Sequence, residues 1–135
     1  MANPNDTPML LDTSVFSLLL KRGDSRTALY LPDIQDRLLA LSFVTVGETY
    51  RWAYLYNWGT EKVKELEETF EKFVILNTHE EVARHWARIM SIRGQRFRDN
   101  DAWIAACALV YGCVLVTHDK HFSDIPGLDI VSHLT

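Results

Sequence analysis

The chain lacks the features that would place it in a membrane, outside the cell, or on nucleic acid by charge alone. No apolar run in its 135 residues approaches the roughly 20 that a membrane helix needs, and Met1 to Asp6 lacks the basic-then-apolar pattern of a secretion signal. A cytoplasmic protein is the expectation. It has two cysteines, and both Cys107 and Cys113 lie in apolar surroundings. That predicts reduced core thiols and excludes a disulfide scaffold or a thiolate metal site. Repeats, low-complexity tracts and linker-like stretches are missing, so residues 1–135 are expected to form a single domain. At 47% hydrophobic composition, the chain can build a core of its own. The formal charge of −4 excludes a protein that grips nucleic acid by bulk electrostatics, because that affinity comes from neutralised phosphates. A local basic rim is still compatible with it.

What is present is an alternation of short apolar runs and helical patterns. Pro8 to Leu11 predicts a buried strand, and Ser14 to Lys21 a helix ended near Gly23. Residues from Ser25 to Gln35 predict a helical or irregular segment interrupted by Pro32, and Leu38 to Val44 a second strand. Thr45-Val46-Gly47-Glu48 has the S/T-x-x-E form of a capping box and predicts a helix start. Tyr50, Trp52, Tyr54, Tyr56 and Trp58 follow at every second position, which fits strand or helix. If helical, Tyr50, Tyr54 and Trp58 share one stripe, while Trp52 and Tyr56 lie on roughly the opposite face. Thr60 to Lys72 predicts an amphipathic helix with Val63, Leu66 and Phe70 inward, and Phe73 to Leu76 a strand. Thr78-His79-Glu80-Glu81 is a second capping box, opening a helix toward Gly94. Asp99 or Asn100 caps a nearly apolar helix ended by Gly112, Cys113 to Thr117 is a buried strand, and Leu128 to Val131 an edge strand. Strands alternating with helices imply a parallel sheet covered on both faces.

Four acids stand where these runs end or where helices open: Asp12, Glu48, Asp101 and Asp119. In an open α/β sheet such positions face one crevice. Gathered there, they repel by roughly 4 kcal/mol per pair at about 4 Å and an effective dielectric near 20. A divalent cation relieves that repulsion, and an all-oxygen ligand set favours Mg²⁺ or Mn²⁺ over zinc. Each acid also has a plainer role open to it. Glu48 completes a capping box, Asp101 complements a helix dipole, and Asp119 stabilises a turn. Asp12, at the end of a buried strand, needs a partner. Arg93, Arg96 and Arg98 precede Asp101 in a glycine-containing stretch, either as a solvated loop paired with surface acids or as a phosphate-binding rim.

At these residues the sequence resembles the PIN domain, and more narrowly the VapC-type toxins of toxin–antitoxin pairs. Leu10-Leu11-Asp12-Thr13-Ser14 resembles that family's opening segment, Thr45-Val46-Gly47-Glu48 its T-x-x-E helix start, and Asp101-Ala102-Trp103-Ile104-Ala105-Ala106 its D-x-x-I-A-A helix. The stretch from Val114 to Phe122 resembles its closing L-V-T-x-[DN]-x-x-F segment. The resemblance implies a PIN-like three-layer α/β/α fold with a central, mostly parallel sheet. It also implies that Asp12, Glu48, Asp101 and Asp119 bind Mg²⁺ or Mn²⁺ as the catalytic cluster, and that Thr13 or Ser14 orients the first carboxylate or a water. The implied activity is that of an endoribonuclease cleaving structured RNA, tRNA or rRNA, by in-line attack of water to leave a 5′-phosphate and a 3′-hydroxyl. A small VapB-type antitoxin and a homodimer are the implied partners. His118 departs from the family pattern and is left outside the core site, and the D-x-x-I-A-A frame selects Asp101 over Asp99.

Competing architectures fit less well. A haloacid-dehalogenase-like phosphatase wants D-x-D after the first strand, where Ser14 stands instead. A response-regulator receiver wants an acid at the end of Val74-Ile75-Leu76-Asn77. A catalytically silent PIN-like module that binds RNA or protein is the alternative from a different class.

Overall fold

A computed structural model describes residues 6–21 and 23–134. Its five strands are β1 (Met9–Leu11), β2 (Leu39–Ser42), β3 (Val74–Leu76), β4 (Val114–Val116) and β5 (Ile130–Val131). They form one sheet in the order β3-β2-β1-β4-β5, with every pairing parallel. The sheet expected to be mostly parallel is therefore parallel throughout. Its helices are α1 (Thr13–Leu20), α2 (Thr27–Ile34), α3 (Phe43–Leu55), α4 (Thr60–Phe70), α5 (Glu80–Met90) and α6 (Asp99–Tyr111), with a 3₁₀ turn at Lys120–Phe122.

Strand alternation divides the core into two layers. Leu10, Ala40 and Leu115 point to one face, where Val82 and Ile89 of α5 and Ile104, Ala105 and Ala108 of α6 cover them. Met9, Leu11, Leu41 and Val116 point to the other, against Val15 and Phe16 of α1, Tyr30 and Ile34 of α2 and Leu66 of α4. Each fully buried side chain of this size contributes about 1.5–3 kcal/mol. The result is the expected α/β/α sandwich. The winding reverses at β1, which lies between β2 and β4. Such a switch point opens a crevice beyond the strand ends, and the register Leu11↔Val116 sets Asp12 beside Thr117 there.

Three helix starts differ from expectation. α3 begins at Phe43 and is capped by Ser42, whose Oγ accepts from the Val44 N–H at 3.0 Å. Ser42 is both the last residue of β2 and the cap, so no loop intervenes and Thr45 and Glu48 fall inside the helix. The second box shifts by one residue: His79, not Thr78, caps α5 through Nδ1. Tyr111 donates to the Asn77 carbonyl at 2.9 Å and packs edge-on to the His79 ring, which keeps the chain extended one residue longer. Neither Asp99 nor Asn100 caps α6. The cap is Arg98, without a side-chain bond, and Asp99 and Asp101 fall in the first turn. α2 runs through Pro32 uninterrupted.

The aromatic segment resolves as helix followed by turn. α3 ends at Leu55, and Asn57 takes a positive φ of 49°, so Trp58 leaves the expected stripe and accepts Lys62 Nζ over its ring at 4.0 Å. Tyr50 packs on Phe70. Tyr54, Leu55 and Tyr56 are exposed, the two tyrosines at 78% and 71%, so the outward patch is the helix end rather than the Trp52–Tyr56 face. Both cysteines are free and buried, as expected.

Candidate active site

Asp12 caps α1 immediately after β1. Its Oδ1 accepts from Ser14 Oγ at 2.5 Å and from the Val15 N–H at 3.1 Å, and its Oδ2 accepts from Thr117 Oγ1 at 2.5 Å. The same two hydroxyls accept from the loop after β4: Ser14 Oγ from the His118 N–H and Thr117 Oγ1 from the Asp119 N–H, both at 3.0 Å. Two hydroxyl bridges thus fasten that loop to Asp12. The partner that a buried carboxylate needs is supplied here by hydrogen bonds. Burial pushes the Asp12 carboxyl up, these bonds oppose the shift, and the charge of Asp119 adds to it.

Glu48 projects from α3 and accepts from Thr13 Oγ1 at 2.9 Å. Thr13 also lies 2.9 Å from Thr45 Oγ1. Because Thr13 has one hydroxyl proton and gives it to Glu48, Thr45 is the donor to Thr13. The roles of the expected orienting pair are therefore separate, with Ser14 serving Asp12 and Thr13 serving Glu48. Burial raises the Glu48 carboxyl, and Asp12 raises it further against the pull of Thr13, Arg51 and Arg98.

Asp101, in the first turn of α6, is different. Its Oδ2 is buried without a hydrogen-bond partner, and the carboxyl is pushed up to about 6, first by burial and then by Asp119 and Asp12, with Arg98 and His121 opposing. Asp119 caps the 3₁₀ turn, its Oδ1 accepting from the His121 N–H at 2.9 Å and lying 2.5 Å from His121 Nδ1. A carboxylate oxygen of Asp101, one of Asp119 and a ring nitrogen of His121 all lie within 4.8 Å of one another. Asp12 is coupled to this trio, raising Asp101 and being raised by Asp119, and Glu48 is coupled to Asp12 in turn.

Asp12, Asp101 and Asp119 thus influence one another at one crevice, and Glu48 joins them through Asp12. His121 was missed, although it stands in the quoted closing segment two residues after Asp119. Arg51, which pulls on Glu48, was missed as well. Its signal is its place one helical turn after Glu48. His118 is turned to Tyr30, its Nδ1 2.5 Å from the phenol oxygen, and Asp99 is exposed on the outer side of its turn. Arg98 acts on both Glu48 and Asp101, whereas Arg93 and Arg96 line a neighbouring cleft of about 420 Å³ with Lys120 and His121.

Burial first and neighbouring acids second raise three carboxyls here beside two arginines, and one buried oxygen of Asp101 has no hydrogen-bond partner. A five-stranded parallel α/β/α sandwich with an acidic crevice at its switch point defines the class. The PIN-domain family model matches residues 9–128, and the chain belongs to that family. It is 31% identical over 127 residues to Ribonuclease VapC1 of Haemophilus influenzae strain R2866, covering 88% of this chain and 92% of that one. The solved VapBC-1 of nontypeable Haemophilus influenzae superposes with a TM-score of 0.76 at 26% identity, over 93% of this chain and 98% of that one. VapBC2 of Rickettsia felis, solved with a promoter DNA fragment, shares the fold with a TM-score of 0.81 at 17% identity, over 93% and 98% of the two chains.

Proposed function

We propose that this protein is a metal-dependent endoribonuclease that hydrolyses structured RNA, tRNA or rRNA, and acts in the cytoplasm as the toxin of a toxin–antitoxin pair. The observation that carries the reading is the buried, unpartnered Oδ2 of Asp101 beside Asp119. An oxygen left in that state costs about 1–3 kcal/mol, and a divalent cation satisfies it. The donor set suits Mg²⁺ or Mn²⁺. Asp101 and Asp119 hold the ion, with Asp12 and Glu48 facing it directly or through water. When bound, such an ion lowers the pKa of water and neutralises charge on a scissile phosphate.

The chain's own groups do the positioning. Ser14 and Thr117 fix the Asp12 carboxylate and Thr13 fixes Glu48, so the acids meet a substrate without reorganising. Arg98 and Arg51 border the acids and offer cations to the flanking phosphates, while Arg93 and Arg96 extend the rim. RNA is read mainly in exposed, unstacked regions, which a shallow rim of this kind reaches.

The negative crevice also suits an Arg or Lys from a small VapB-type antitoxin. Its apolar residues would seat on the α1–α4 cleft lined by Leu19, Leu20 and Trp58, of about 350 Å³. Exposed Tyr54, Leu55 and Tyr56 offer the contact for a homodimer.

The test is cleavage of a folded RNA. Activity should require Mg²⁺ or Mn²⁺, stop in chelator, and be lost in Asp101→Asn with the fold intact. Undiminished cleavage in chelator overturns the metal reading. RNA binding without cleavage in any divalent ion would instead identify a silent module.

A further inference from the structure

We infer that His121 supplies a nitrogen ligand to the ion shared with Asp101 and Asp119, making this an oxygen-and-nitrogen centre rather than a purely carboxylate one. This rests on the metal reading above and assigns it a residue. Ligands about 2.1 Å from one octahedral ion are separated by at most about 4.2 Å. The ring nitrogen of His121 and the oxygens of Asp101 and Asp119, all within 4.8 Å of one another, need only a small side-chain adjustment to meet that limit.

The backbone fixes where the imidazole stands. The 3₁₀ turn at Lys120–Phe122 is anchored by Phe122, which is 1% exposed. The cap from Asp119 Oδ1 to the His121 N–H holds the two side chains at one end of that turn. The close approach of His121 Nδ1 to Asp119 Oδ1 keeps the ring beside the carboxylates while 41% of the side chain stays exposed. Asp119 Oδ1 is thereby occupied, while Asp101 Oδ2 is free.

The other histidine nearby does not compete for this role. His118 lies outside that cluster, turned to Tyr30, a residue with no exposure, on the side of the loop held to α2.

A nitrogen donor shifts selectivity. Imidazole binds transition ions well and Mg²⁺ poorly, so the centre should prefer Mn²⁺ over Mg²⁺, and His121 should account for much of that preference. In His121→Ala, Mn²⁺ affinity measured by calorimetry should fall about tenfold or more, while Mg²⁺ affinity changes by less than about threefold.

The direct readout is pulsed electron paramagnetic resonance of Mn²⁺ bound to the full chain. A ¹⁴N coupling from a bound imidazole is expected in the wild type, lost in both His121→Ala and His121→Asn, and retained in His118→Gln. Thermal melting checks that each variant is folded. Mn²⁺ bound tightly with no nitrogen coupling, or a coupling that survives both His121 substitutions, overturns the assignment and leaves the carboxylate metal site standing. Failure of Mn²⁺ to bind at all overturns the metal reading together with it.

Discussion

The two sides of the crevice use the same chemical groups and differ in how their oxygens are employed. On the side of α1 and α3, Asp12 accepts three hydrogen bonds and Glu48 one. These acids hold structure together as well as facing the site. On the side of α6 and the 3₁₀ turn, Asp101 keeps an oxygen with no partner, and its pKa rises to about 6. One side is built into the fold, whereas on the other Asp119 caps its turn and Asp101 carries an unrelieved cost that a ligand can remove. Charge placement on its own would not separate them. What separates them is how many of each carboxylate's roughly four acceptor sites are already filled.

The sharpest way to break the comparison is to neutralise one acid from each side. Asp101→Asn and Asp12→Asn should each lower kcat/KM for RNA cleavage by about 10²–10³, and their stabilities should move in opposite directions. Asp12→Asn replaces an acceptor of the Thr117 or Ser14 hydroxyl by an amide donor and weakens the α1 cap. It should cost about 1–2 kcal/mol, a fall in Tm of about 3–8 °C. Asp101→Asn removes a charge whose burial and acidic neighbours outweigh the pull of Arg98 and His121, so its Tm should hold or rise. Melting curves at pH 7 without metal decide this, and equal shifts of the same sign would erase the distinction.

Thr117→Val probes the bridging hydroxyl directly. It leaves Asp12 Oδ2 and the Asp119 N–H without their partner in a position with no exposure. A loss of about 2–3 kcal/mol is expected by chemical denaturation. Ser14→Ala, at a half-buried position where water can substitute, should cost less.

A pH titration sharpens the same contrast without mutation. The Asp101 pKa is about 6 in the fold against 3.8 as the ordinary value, so the folded state binds its proton more tightly than the unfolded chain does. That contribution is complete below about pH 4 and is lost as pH rises through about 6. Asp12 and Glu48 are raised too and act in the same direction. Asp24, lowered to about 2 by Arg26, has the opposite sign, but its contribution changes only below about pH 4. Metal-free protein should therefore gain stability between pH 7 and 5, by about 3–5 °C in Tm once screening of the half-exposed Asp101 is allowed for. Saturating Mg²⁺ or Mn²⁺ should flatten the rise, and Asp101→Asn should remove most of it.

Much of this arrangement was legible in the sequence, because periodicity and strand-end acids survive folding. The five strands, the apolar α6 ended by Gly112, whose φ is 66°, and the approach of four distant acids follow from alternation and the switch-point rule. Local start signals misled where tertiary contacts outweigh them. Ser42 caps α3 because β2 runs straight into the helix, and Thr45-x-x-Glu48 is a pattern whose residues face Thr13 rather than their own helix end. The alternating aromatics hid a turn at Asn57, since periodicity does not report a positive φ. His121 was obscured because a histidine after an acid has many uses, and its meaning depends on a 3₁₀ turn of three residues.

The smallest expected effect lies in the hydroxyl pair behind Glu48. Thr13 passes its one proton to Glu48 and takes one from Thr45, so Thr13→Val releases Glu48 from its fixed direction without touching Asp12, Asp101 or Asp119. Glu48 is half-buried and can recover water, so the stability cost should stay below about 1 kcal/mol. Cleavage should fall about tenfold, as for other residues that orient a ligand from behind. Thr13→Ser keeps the hydroxyl and should restore activity, whereas loss of shape alone would affect both variants alike. If Thr13→Val cleaves RNA as fast as the wild type, Glu48 needs no orienting hydroxyl, and the built-in side of the crevice reduces to Asp12 and its two bridges.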